Sequence, residues 1–156
     1  MSQRTDNNIA TLISEVQPVA KEFMEALRDQ LPDGVTAEII SALRTYEEQD
    51  DLYEQGRSKP GHRVTNARGG YSNHNFGVAW DVGLFDRGGV HYLEDSPLYN
   101  LVGKVAHSMD LVWGGDWKSI EDKPHVEWRP EWGKDLSESE FLAQCRNLHN
   151  HGEAIA

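Results

Sequence analysis

From Ile9 to Leu27 the apolar residues recur at helical spacing: Ile9, Leu12, Ile13, Val16, Ala20, Phe23, Met24 and Leu27. A stripe of that length has to be buried against something, so the chain must fold as a helix packed on a core rather than as an isolated element. The spacing predicts one amphipathic helix over about Asn7 to Gln30, irregular at Pro18 and closed by Leu31-Pro32-Asp33-Gly34. The period then changes. Val35 to Leu43 is rich in apolar and β-branched residues and reads as a strand. Thr45 and Glu48 form a capping-box pattern and Gly56 supplies a stop, which predicts a short helix from Tyr46 to about Gln55. Ser58 to Gly70 carries Pro60 and three glycines and reads as loop.

Ser96-Pro97 predicts a helix start, with Leu98, Leu101, Val102, Val105, Ala106 and Met109 as its buried stripe. Leu111 to Trp113 reads as a strand entering Gly114-Gly115, and Ser137 with Glu140 opens a last helix to about Leu148. The tail from Asn150 is expected to fray. Helices flank short strands without a β-α-β alternation, so the expected class is α+β, with a small mixed or antiparallel sheet flanked by helices. The expected organisation is a single domain over 1–156: a packing helix in 1–34, a core in 35–148 and a tail in 149–156.

Charge and cysteine usage exclude several functions. The 26 acidic and 15 basic side chains leave a formal net charge of -11, which repels nucleic-acid phosphates and gives no reason to expect binding to anionic lipid. Cys145 is the only cysteine, so neither an intramolecular disulfide nor a thiolate-rich metal site is possible. Its neighbours Phe141, Leu142 and Leu148 make it a small buried core residue rather than a reactive thiol. No apolar run approaches ~20 residues. The polar stretch Met1 to Asn8 lacks the apolar segment of a signal peptide. Synthesis in the cytoplasm is therefore expected, with release or delivery by another agent if the protein acts outside.

Two of the seven histidines have suggestive neighbours. His74 stands seven residues before Asp81, and His125 lies between Asp122 and Glu127. An interval of seven puts His74 and Asp81 on opposite faces of a regular strand, so a bend is needed, and Gly77 is where the chain can supply it. Val78 to Val82 would then continue as a strand carrying Asp81, and His125 would come from a second strand after Pro124. Two imidazoles and a carboxylate match the three protein ligands of a catalytic zinc site with one position open. The same residues could equally be hydrogen-bonded surface groups.

The stretch S-x-H-x-x-G-x-A-x-D (Ser72 to Asp81), followed some forty residues later by D-x-P-H-x-E-W (Asp122 to Trp128), resembles the M15 group of zinc peptidases. That group includes D-Ala-D-Ala carboxypeptidases and dipeptidases, and phage and bacterial L-alanyl-D-glutamate endopeptidases. Leu43 to Arg57 is similar to the segment upstream of the first ligand. Val64-Thr65-Asn66-Ala67 followed by Gly69-Gly70 looks like the lead-in of the endopeptidase branch. The resemblance covers roughly Ile40 to Trp128. It implies a zinc site in a central cleft, with His74, Asp81 and His125 as ligands, Asp122 as general base and Arg44 beside the developing oxyanion. Many members carry glutamate where Asp122 stands, so Glu121 and Glu127 remain alternatives. Glu127 could instead orient a ligand. Ser72 could bond near the metal or cap a turn. Trp113, Trp117 and Trp128 could line a cleft or pack inside. His62, His91, His107, His149 and His151 match nothing and are expected to be non-ligands.

The function implied is zinc-dependent hydrolysis of a bond in the peptidoglycan stem peptide, L-Ala-D-Glu first, as in phage endolysins. D-Ala-D-Ala cleavage on the same scaffold and a zinc-bearing binding module without catalysis are the alternatives. Asp122 and Arg44 together argue against the last, because a structural zinc needs neither.

Overall fold

A computed structural model describes residues 2–156; the first residue of the polar N-terminal stretch lies outside them. The elements run α1 (Gln3–Ile9), α2 (Gln17–Gln30), β1 (Thr36–Ser41), α3 (Tyr46–Glu54), β2 (Ala79–Asp86), β3 (His91–Leu93), α4 (Asn100–Ser108), β4 (Val112–Trp113), β5 (His125–Glu127) and α5 (Glu138–Asn150). The α+β class expected from the sequence is what the chain adopts, and every strand pairing is antiparallel. The sheet order is β1-β2-β5-β4. β2 is its axis: β1 lies along one edge, while β5 and β3 share the other end to end.

The single N-terminal helix predicted from the apolar stripe is two helices. α1 starts earlier than expected, at the N-cap Ser2, whose hydroxyl accepts from Thr5 N. The chain then turns through 10–16, where Ile13 N donates to Gly77 O at 3.0 Å, before Pro18 sits in the first turn of α2. Leu12 and Val16 are buried all the same. The stripe therefore reported burial correctly but not helicity: a backbone bond to a residue far along the chain outweighed helical continuity. Pro18 opens a helix, where its missing N–H costs nothing, instead of kinking one.

One face of the sheet carries Trp80, Val82 and Leu84 of β2, Ile39 of β1 and Val126 of β5, all fully buried under Phe23, Met24 and Leu27 of α2 and Val102 and Val105 of α4. Side-chain alternation sends Asp81, His125 and Glu127 to the other face. There a second apolar cluster of Phe76, Val78, Phe141, Leu142 and Cys145 seats α5 beside them. Burial pushes the Cys145 thiol up to about 12, as suits an inert core residue.

The free edge of β1 is blunted by side chains: Asn8 Nδ2 donates to Ile39 O, Ile39 N donates to Thr5 Oγ1, and Arg28 Nη2 donates to Ala37 O. Both expected capping boxes form, Thr45 with Glu48 and Ser137 with Glu140. Ser96 caps a 3-10 turn (Pro97–Tyr99) that leads into α4. The tail, expected to fray, is tied to the body near its end. Trp132 Nε1 donates to Ile155 O at 3.0 Å, and Ile155 packs against the second cluster.

Candidate metal centre

Asp81 stands on β2 directly opposite His125 of β5. Residues opposed across a ladder share a face, so the register alone sets this carboxylate beside this imidazole. His74 arrives from a 3-10 turn, Asn73–Phe76, which Ser72 caps by accepting from His74 N at 3.3 Å. Gly77 ends the turn at φ 72, a left-handed conformation that frees the chain to reverse into β2. The bend required by the seven-residue interval is thus where the glycine stands. The turn is fastened to the end of β1: Arg44 N donates to His74 O at 2.8 Å, and Asn75 Nδ2 donates to Arg44 O at 2.9 Å.

The donor atoms suit a tetrahedral ion. His74 Nε2 lies 3.2 Å and His125 Nδ1 3.4 Å from Asp81 Oδ1, and the three donors all fall within 4.8 Å of one another. Bonds of ~2.0–2.1 Å at tetrahedral angles require donor separations of about 3.4 Å. Each imidazole is held by its other nitrogen. His74 Nδ1 sits 2.8 Å from Ala42 O, and His125 Nε2 sits 2.9 Å from Glu127 Oε1. With those nitrogens engaged, Nε2 of His74 and Nδ1 of His125 face Asp81 and are the atoms that would serve as ligands once deprotonated. The Asp81 side chain keeps 22% exposure against 6% and 4% for the two histidines, so the cluster opens to solvent on the carboxylate side. No other such group of His, Cys, Asp or Glu occurs among the described residues.

Burial alone would raise the Asp81 carboxyl, but the two imidazoles beside it hold it well below the usual carboxylate range. Burial alone would lower His125, but hydrogen bonds to Asp81 and Glu127 raise it to about 10. A metal ion binding there would displace that proton.

Asp122 flanks the cluster without belonging to it. Burial, and then the charge of Asp81, push its carboxyl above the ordinary value, which suits a group that must accept a proton. Its two rivals differ. Glu121 is exposed and pairs with Lys123 at 3.4 Å. Glu127 is fully buried and already engaged by His125. Arg44 is half-buried, with Nη1 donating to Gln49 Oε1 at 2.8 Å and Nη2 to Ser41 Oγ at 3.3 Å. Ser41 is Asp81's partner on the β1 side, so the guanidinium is tied to the face that carries the cluster. Ser72 caps the histidine turn. Trp117 leans on the His125 ring with centroids 4.8 Å apart, whereas Trp113 is buried against Gly103 and Trp128 packs between the two apolar clusters. His91 and His107 pair with Asp86 and Asp116, and His149 stacks on Tyr46.

Gly114 positions this corner. Its carbonyl accepts from Asp122 N at 2.9 Å, and a Cβ there would overlap the Asp122 carbonyl oxygen and come within 3.0 Å of His125 Cβ. Gly114→Ala is therefore expected to lower unfolding stability by about 1–3 kcal/mol, the usual cost of overpacking. It should also depress turnover more than Gly34→Ala, which strains a left-handed backbone at φ 83 but places its Cβ within 4 Å of nothing. Urea denaturation and initial rates on the two variants check this.

One group around the cluster escaped the sequence reading: Asn73, Arg129 and Glu138, which surround Glu127. The available signal was the alternation of β5, which, continued two residues past its end, puts Arg129 on the face of His125 and Glu127.

The D-alanyl-D-alanine carboxypeptidase family profile matches residues 65–128, the stretch that holds all three candidate ligands and Asp122. The chain is 37% identical over 126 residues to the peptidoglycan L-alanyl-D-glutamate endopeptidase CwlK of Bacillus subtilis (strain 168), an alignment covering 75% of each protein. The fold is similar to the crystal structure of the Serratia marcescens L-Ala D-Glu endopeptidase ChiX. The TM-score is 0.56 at 19% identity, covering 91% of this chain and 92% of that one.

Proposed function

Because the chain belongs to the M15 family of zinc peptidases, we propose that it hydrolyses the L-Ala–D-Glu amide of the peptidoglycan stem peptide. The observation that carries this reading is the triangle of His74, Asp81 and His125, with Asp122 beside it, in a chain 37% identical to a relative named for that reaction. When bound by the three ligands, zinc would polarise the scissile carbonyl and acidify a water. The remaining roles fall to the protein. Asp122 takes a proton from the attacking water and later delivers one to the departing amine of D-Glu. The Arg44 guanidinium, preset by Gln49 and Ser41, meets the charge that develops on the carbonyl oxygen. Trp117 forms one wall of the site against His125. The reaction adds hydroxide to the L-Ala carbonyl and a proton to the D-Glu nitrogen as the C–N bond breaks. Its place of action is the cell wall.

The family description favours a second reading, removal of terminal D-alanine. Offering the zinc-loaded protein intact peptidoglycan and a free stem peptide ending in D-Ala-D-Ala separates the two. Mass spectrometry should find a new amino terminus on D-Glu. Release of D-alanine without that terminus would assign the carboxypeptidase reaction. No new terminus of either kind would leave a binding module.

A further inference from the structure

Resting on the metal centre proposed above, we infer that Arg129 is a positioning residue for the metal: with Asn73 and Glu138 it holds the Glu127 carboxylate that fixes which nitrogen His125 presents. Glu127 has no exposed surface. Its Oε1 meets His125 Nε2 at 2.9 Å, its Oε2 accepts from Arg129 Nε at 3.1 Å, and Asn73 Nδ2 donates to Oε1 as well. Arg129 is 8% exposed and also donates to Gly133 O at 3.1 Å, Leu136 O at 2.6 Å and the Glu138 carboxylate, with the guanidinium over the Phe141 ring. Asn73 also donates to Glu138, and it precedes His74 in the same turn. The two ligand histidines, which come from different parts of the chain, are thereby joined through one buried network.

The reason to infer a role in metal binding is energetic. A buried ion pair is weak support for a fold, since apolar residues of similar size commonly do as well or better. A buried carboxylate aimed at the outer nitrogen of a ligand histidine does something an apolar residue cannot: it selects the tautomer that leaves Nδ1 free toward Asp81. Arg129 is what orients that carboxylate: its Nε holds Oε2 at 3.1 Å and leaves Oε1 to meet His125 Nε2. A lysine would keep the charge but not the fork that reaches Glu127, two carbonyls and Glu138 together.

The test is a double-mutant cycle read as zinc affinity, by competition with a chromophoric chelator, on folded metal-free protein. Arg129→Met should weaken zinc binding ~10–100-fold, the usual effect of losing an outer partner. In a Glu127→Gln background the same change should move affinity by less than about twofold, because the carboxylate through which Arg129 acts is gone. Unchanged affinity in Arg129→Met, or a full loss repeated in the Glu127→Gln background, would overturn the inference. If Arg129→Met does not fold, Arg129→Lys carries the test: a folded variant with weakened zinc binding supports it and wild-type affinity refutes it. A merely structural role would lower the melting temperature of the metal-free protein and leave zinc affinity intact. Failure of the wild type to bind zinc would reject the metal centre itself, and this inference with it.

Discussion

His74→Ala is expected to reduce bound zinc from about one per chain to near none and to abolish hydrolysis, while the protein still folds. The three candidate ligands are not equivalent as tests. His125→Ala strips the buried Glu127 of a partner, and breaking a buried pair costs about 3–5 kcal/mol, so its loss of activity would be confounded with unfolding. Asp81→Ala removes the acceptor that both imidazoles share. His74→Ala leaves the Ala42 carbonyl without its 2.8 Å partner, a penalty of about 1–3 kcal/mol that a folded domain commonly survives, and Asp81 loses one imidazole but keeps His125. Elemental analysis, circular dichroism and the peptidoglycan assay on one preparation decide it. The loss should exceed the ~10–100-fold typical of an outer partner, because two donors cannot define a tetrahedral site. Full activity in His74→Ala would reject the metal centre.

Asp122→Asn should do the opposite to the metal and much the same to the rate. Asp122 is outside the donor triangle, so zinc should be retained at about one per chain. Turnover should fall ~10²–10⁴-fold, about 3–5 kcal/mol of transition-state free energy, because the amide cannot accept the water's proton. Stability should move the other way. Burial and the neighbouring Asp81 charge raise the Asp122 carboxyl in the folded protein, so the folded state binds its proton more tightly than the unfolded chain does. A group raised in this way lends stability at pH below its unfolded value and loses it as pH climbs through its folded value. At neutral pH the ionised side chain is therefore unfavourable. Metal-free Asp122→Asn should melt above metal-free wild type there, with the gap closing in acid. Loss of zinc from this variant would make Asp122 a ligand rather than a base. Normal turnover would return attention to Glu121, since Glu127 is committed to His125.

Much of this molecule is readable in one dimension, for a physical reason. Caps and turns are satisfied within three or four residues: Thr45 meets Glu48, Ser137 meets Glu140, and Gly77 supplies its bend wherever the rest of the chain lies. Residue type and spacing make His74, Asp81 and His125 candidate ligands and require a bend between the first two, while the resemblance to the zinc peptidases is what singles them out. The strand pattern is compatible with a mixed or an antiparallel sheet, and only the folded chain decides for antiparallel pairing. Other features depended on groups distant in sequence. The apolar stripe from Ile9 to Leu27 could not reveal the break at 10–16, because Ile13 N is satisfied by Gly77 O. Nor could the composition of the tail reveal that Trp132 would hold Ile155. The placing of Asp81 opposite His125 is a matter of strand register, which a one-residue slip would send to the core face. The network around Glu127 joins Asn73 to partners 54 and 65 residues away. Local chemistry thus specifies which side chains can bind a metal and where the chain turns. Tertiary structure alone decides which of their nitrogens and oxygens face one another, because that depends on burial and pairing among residues with no neighbourhood in the sequence.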